Sequence, residues 1–259
     1  MSSLLKEPLP RLFVRPDALI ADRPLILQGT AHHYLTRVLR LTRGDRLLLL
    51  DGRGRVADSQ VVGIDADTLT LQPTRVEQTA SEGAAGTAPP PMILLIGLIK
   101  GERHDLVIQK ATELGASQII SVVCARSVPD LDGARGEKRQ ARWLRVAQAA
   151  AGQCRRADVP RVSPPLPFAQ ALQESGPGLR LVFCERDAPP LRTLLSATDL
   201  GQQSQPVSLL VGPEGGLTGA EIDAALAVGY QPCSLGPHIL RAETAALAAL
   251  AATTALLYG

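Results

Sequence analysis

From residue 92 onward the chain alternates between short unbroken apolar runs and stretches whose apolar residues recur every three or four positions. Met92–Ile99 is such a run. The following Glu102–Leu114 places Val107, Ala111 and Leu114 on one helical face, and Gly115 ends it. Gln118–Cys124 reads as a strand, and about Glu137 to Arg156 as a long helix. Leu179–Cys184, Val207–Val211 and Gln231–Leu235 read as further strands, with helices between and after them. Apolar strands without alternation are buried on both faces, so this pattern predicts a parallel sheet covered by helices, an α/β architecture.

Upstream the period shortens. Arg11–Val14, Leu25–Leu27, Arg46–Asp51, Val56–Ile64 and Thr68–Leu71 are strand-like, with a turn signal at Asp51-Gly52 and Gly54. One amphipathic helix, Ala31–Leu41, interrupts them, and a small barrel-like β domain is expected. Between the halves, Ser81–Pro91 runs through glycine, alanine and three prolines, which cannot hold a helix or an interior strand. The expected organisation is therefore a β domain over 1–76, a linker over 77–91 and an α/β domain over 92–259.

Composition narrows the classes. Hydrophobic residues are 45% and charged residues 20%, as in a globular protein. Aromatics are only 3%, so alanine and leucine fill the interior, and stacking of several bases on a sheet is not expected. A net charge of +2 does not by itself point to nucleic acid. Only four of 27 basic residues are lysine; this suits arginine–phosphate contacts, and equally a GC-rich genome. Cys124, Cys154, Cys184 and Cys233 lie far apart without metal-ligand spacing, which suggests buried thiols in a reducing cytoplasm and no metal. The N-terminus shows no apolar signal stretch. The apolar Thr244–Tyr258 is too short for a membrane span of about 20 residues, and suggests a buried helix, of a kind that suits a subunit interface.

Two strand ends carry candidate chemistry. Val207–Val211 runs into Gly212-Pro213-Glu214-Gly215-Gly216, with Thr218 and Glu221 at capping-box spacing behind it. Gln231–Leu235 runs into Gly236-Pro237-His238-Ile239-Leu240-Arg241. Ligands of open α/β sheets bind outside the carboxyl ends of strands. If the two strands were adjacent, both loops would wall one pocket. The first loop fits a tight structural turn as well as a phosphate cradle, but it lacks the P-loop lysine. Arg241 and Glu243 fit either the pocket or a helix cap.

Basic residues form two groups. Lys138, Arg142 and Arg145 share a face of the long helix, which Arg155 and Arg156 close. Arg37, Arg40, Arg43, Arg46, Arg53 and Arg55 crowd the β domain, and His32 and His33 open its helix. Both groups suit a phosphate backbone, and both also suit a solvated surface.

The chain resembles the family of 16S ribosomal RNA uridine N3-methyltransferases that modify uridine 1498. Four segments carry the resemblance: His33–Arg40, Lys100–Arg103 through Gln109–Gly115, Gly212–Gly216 and Leu235–Ala245; the Gln153–Arg156 helix end is similar too. The resemblance implies a PUA-like β-barrel followed by a SPOUT α/β domain with a trefoil knot, and a homodimer acting on the small ribosomal subunit. It implies S-adenosylmethionine as cofactor, held by Leu210, Gly212, Pro213, Gly216, Leu235, Gly236, Ile239, Leu240 and Thr244. Glu214 is the expected base, with Arg156 and Arg241 offsetting negative charge. Arg11, Arg37, Arg40, Lys100, Arg103, Arg126, Arg142, Arg145 and Arg155 are the expected RNA contacts. His238 stands where the family has arginine, and Ala125 where it often has glutamate. A methyltransferase for another RNA such as transfer RNA, and a non-catalytic RNA-binding or assembly factor, remain the alternatives.

Overall fold

The computed structural model describes residues 9–78, 90–127, 133–184, 188–197 and 205–258. Of the expected linker, 79–89 lie outside them. By internal contacts the chain forms two units, 1–84 with 151–159, and 85–150 with 160–259.

The first unit holds β1 (Arg11–Phe13), β2 (Leu25–Gln28), α1 (Gly29–His33), β3 (Arg46–Leu50), β4 (Arg55–Ile64) and β5 (Thr68–Gln78). They form a curled five-stranded sheet in the order β1-β3-β4-β5-β2, antiparallel except for β1 beside β3. The unbroken Leu47–Leu50 run has a physical cause. Leu47 and Leu49 enter one core with Leu19, Leu35 and Leu69, while Leu48 and Leu50 enter another with Val56 and Ala157. Ala157 belongs to the segment 151–159, which also binds through the Val159 N–H donated to the Gly52 carbonyl at 3.1 Å.

The expected helix Ala31–Leu41 is shorter and wider than its pattern. After α1 the backbone opens into a π-helical turn, Tyr34–Val38, with the Leu39 N–H donated to the Tyr34 carbonyl at 3.0 Å. Arg40 (φ 56) then turns the chain away.

The second unit is built from β6 (Met92–Gly97), α2 (Glu102–Glu113), β7 (Ala116–Val123), α3 (Gly133–Gln153, whose last turn counts with the first unit), β8 (Arg161–Val162), β9 (Leu166–Pro167) and α4 (Phe168–Glu174). It continues with β10 (Leu179–Phe183), α5 (Leu191–Ala197), β11 (Val207–Val211), α6 (Gly219–Ala227), β12 (Gln231–Cys233) and α7 (Ala242–Tyr258). Its strands pair in parallel in the order β12-β10-β11-β6-β7-β8, with β9 also on β7. β6 and β11 are buried at every residue, as central parallel strands require.

The sheet order and the end of the last strand both bear on the site. β11 and β12 are not adjacent; β10 lies between them. β12 stops at Cys233; beyond it Ser234 makes an isolated bridge to Pro190, its N–H donated to the Pro189 carbonyl at 3.0 Å, and its hydroxyl accepts the Gly236 N–H at 3.1 Å as the loop begins. Among the described residues, no helix is long and apolar enough to cross a membrane, and no cluster of histidine, cysteine, aspartate or glutamate is fit to hold a metal.

Candidate functional site

Register fixes where the site can lie. Gly97 follows Ile96, which pairs with Val211; Val211 pairs with Phe183, and Phe183 with Cys233. Four parallel strands therefore end along one edge, and both Gly-Pro loops leave from it although their strands are not neighbours. A cavity of about 1020 Å³ opens there. The first loop walls it from Gly212 to Leu217 and the second from Ser234 to Arg241, with Phe183 and Cys184 between them.

The local chemistry shapes both walls. At Gly97 an added Cβ would sit 2.4 Å from the Pro213 nitrogen, so the first loop lies directly on the end of β6. Gly216 (φ 69) and Gly236 (φ 125) hold left-handed backbone with nothing within 4 Å of a would-be Cβ. Both positions face open space along the cavity lining, which leaves their backbone groups accessible to a ligand.

Glu221 secures the first loop from behind. Thr218 caps α6, accepting the Glu221 N–H at 3.2 Å, while Glu221 Oε2 accepts the Thr218 N–H at 2.8 Å. Its Oε1 accepts the Ala125 N–H at 2.7 Å, so the carboxylate of α6 also holds the turn after β7. Next to it, Arg126 donates to the Gly215 carbonyl at 2.8 Å.

Glu214 accepts the Lys100 N–H at 3.0 Å and pairs with Arg103 at 2.9 Å. Burial raises its pKa, but the Lys100 N–H, its own N–H and the charges of Arg103 and Lys100 outweigh burial and hold the carboxyl below its ordinary value. Cys233, on the cavity wall, is pushed up to about 12 by burial and by Cys184, so it stays a thiol and is a poor nucleophile.

Residues 87–254 match the RNA methyltransferase domain family, and residues 27–74 the RNA methyltransferase PUA domain. Ribosomal RNA small subunit methyltransferase E of Synechocystis sp. is 36% identical over 95% of this chain and 78% of its own length. The enzyme of that name from Bacillus subtilis is 34% identical over 87% of this chain and 88% of its own. The chain belongs to the ribosomal RNA small subunit methyltransferase E family.

Solved structures of the same fold include the family's Neisseria gonorrhoeae member bound to S-adenosylmethionine. It has a TM-score of 0.81 and 28% identity, covering 96% of this chain and 98% of that one. A methyltransferase from Legionella pneumophila, in complex with the cofactor, has a TM-score of 0.84 and 28% identity over the same shares.

The residues read from the family resemblance fall into three groups. Gly212, Pro213, Glu214, Gly216, Leu235, Gly236, Ile239, Leu240 and Arg241 all line the cavity, as do Arg103, Arg126 and His238. Leu210 is fully buried in β11 and supports the loop from the core, while Thr244 is exposed on α7 and lines no part of the cavity. The third group is not among the residues that line it. Arg156 pairs with Asp158 at 2.7 Å within the first unit. Arg11, beside Arg155, has its pKa lowered by burial and then by that charge. Arg142 pairs with Asp105, Arg145 donates to the Ala141 carbonyl at 3.3 Å, and Arg37 and Arg40 are exposed. Two arginines of the β-domain group are neutralised within the fold, Arg46 by Asp58 at 2.5 Å and Arg55 by Asp51 at 2.7 Å.

Phe183, Cys184, Leu217, Ile222 and Ser234 also line the cavity and were not foreseen. Phe183 and Cys184 end one expected strand and Ser234 lies in another, but nothing in their residue types marked them as cavity wall.

Proposed function

We propose that this chain transfers a methyl group from S-adenosylmethionine to N3 of uridine 1498 in 16S ribosomal RNA of the small subunit. The observation that carries the reading is the single cavity walled by both glycine loops at the carboxyl edge of the sheet. The accessible backbone at Gly216 and Gly236 suits a ligand held through backbone groups, and two S-adenosylmethionine-bound relatives share the fold. Gly212, Pro213, Gly216, Leu235, Gly236, Ile239 and Leu240 would hold the cofactor, which when bound supplies an electrophilic methyl group on a sulfonium.

The chain's own task is at N3, whose proton blocks the lone pair. The protein must accept that proton or favour the uracil anion. Glu214 is the acceptor we assign; its lowered pKa keeps it ionised and makes it a weak base. Positive charge from Arg241 on the cavity wall therefore carries the larger share of the stabilisation. The base must be unpaired or flipped, because pairing hides N3.

The reading includes a cytoplasmic homodimer. It is supported by four free cysteines and by α7, which leaves Leu256 45% exposed. Small subunits from a strain lacking the gene, incubated with protein and cofactor, are expected to gain one methyl group, at N3 of that uridine, when the RNA is mapped by mass spectrometry. Methylation of another nucleotide, or none, contradicts the proposal.

A further inference from the structure

Arg103, in the first turn of α2, faces two carboxylates from different segments, Glu214 on the cavity wall and Glu243 behind the second loop. One guanidinium nitrogen is 2.9 Å from Glu214 Oε1 in the first loop, and the other is 3.8 Å from Glu243 Oε1, just past the second loop in α7. The turn before it is shaped for this. Gly101 adopts φ 64 and ψ −145, a region only glycine enters freely, and this bend lets Lys100 N–H and the Arg103 guanidinium reach the same oxygen of Glu214. Glu243 is 12% exposed in its side chain, and its Oε2 is buried without a hydrogen-bond partner. A carboxylate in that condition leans on the cation beside it.

We propose that Arg103 is a positioning residue, a clasp tying the two loops together and fixing their separation for the methyl donor. The proposal rests on the cofactor reading above. A planar fork can engage two carboxylates at once, while a lysine ammonium is a point charge that reaches only one well. Both pairs are partly solvated, so neither alone is strong; their effect lies in joining two segments distant in sequence.

Hydrogen exchange on the free protein tests the clasp without any ligand. Arg103→Ala is expected to speed exchange in both loops, 212–216 and 235–241, and Glu243→Gln to speed it mainly in the second. Calorimetric titration with S-adenosylhomocysteine is expected to show about a tenfold loss for Arg103→Ala, one power of ten in the equilibrium constant. Arg103→Lys should recover part of that loss, and Arg103→Ala should add little on top of Glu243→Gln plus Glu214→Gln. Unchanged exchange in the second loop, or full additivity of the three substitutions, overturns the clasp. A wild-type protein silent in the titration but showing the expected exchange would instead sink the cofactor reading and leave the clasp standing.

Discussion

Gly97→Ala is expected to destroy the cavity while leaving the rest of the sheet recognisable. The new methyl group would lie 2.4 Å from the Pro213 nitrogen, 2.5 Å from its Cδ and 2.9 Å from the Gly212 carbonyl carbon. None of these atoms belongs to a flexible side-chain end. β6 cannot retreat either, since it is buried throughout and hydrogen-bonded on both sides to β11 and β7. The first loop must therefore lift away from the strand end. Overpacking of this kind costs about 1–3 kcal/mol, and more where backbone must move. Because the displaced segment is the cavity wall itself, binding of S-adenosylhomocysteine is expected to weaken at least about a hundredfold, close to 3 kcal/mol. Gly136→Ala in α3 is the control: its Cβ meets only the Pro165 ring, at an ordinary 3.5 Å, so binding should be unaltered. Normal binding by Gly97→Ala would show that the loop does not rest on β6.

Lowering the pH from 7 toward 4 is expected to remove about 3 kcal/mol of stability through His104 alone, from the distance between its two pKa values. The ring is buried against Trp143, with centroids 4.4 Å apart, and its Nε2 lies 3.0 Å from the Ser121 hydroxyl. Burial first, and then the charge of Arg139, lower its pKa from 6.5 to about 4, opposed by Glu214. The direction follows from proton counting. The unfolded chain takes up a proton as the pH falls below 6.5, and the folded protein does not until about 4. The group's contribution is complete above 6.5 and is lost as the pH falls through the folded value. Urea unfolding of wild type and His104→Gln at both ends of this window should show wild type losing more, by about that amount. Equal losses would mean that the ring is not held neutral by the core.

The α/β half was legible because its strands are buried on both faces, so that Met92–Gly97 and Val207–Val211 read as unbroken apolar runs. The capping box at Thr218 and Glu221 was legible for a local reason, since three-residue spacing is all it needs. Sheet order was not, because β10 comes between β11 and β12 through contacts distant in sequence. For the same reason the pattern of α3 could not show that its last turn and the residues to Val159 belong to the first unit, where Ala157 completes a core. At the site, glycine and proline marked both walls, while Phe183 and Ser234 reach the cavity only because their strands end level with them. The pairing of Arg103 with Glu214 and Glu243 spans more than a hundred residues and leaves no local trace.

A crystal structure with S-adenosylmethionine bound is the most direct measurement. The donor is expected between Gly212–Gly216 and Leu235–Leu240, contacted by backbone atoms of both segments. Finding it at another place on the molecule, or touching only one of the two segments, would contradict the shared site on which the assignment rests.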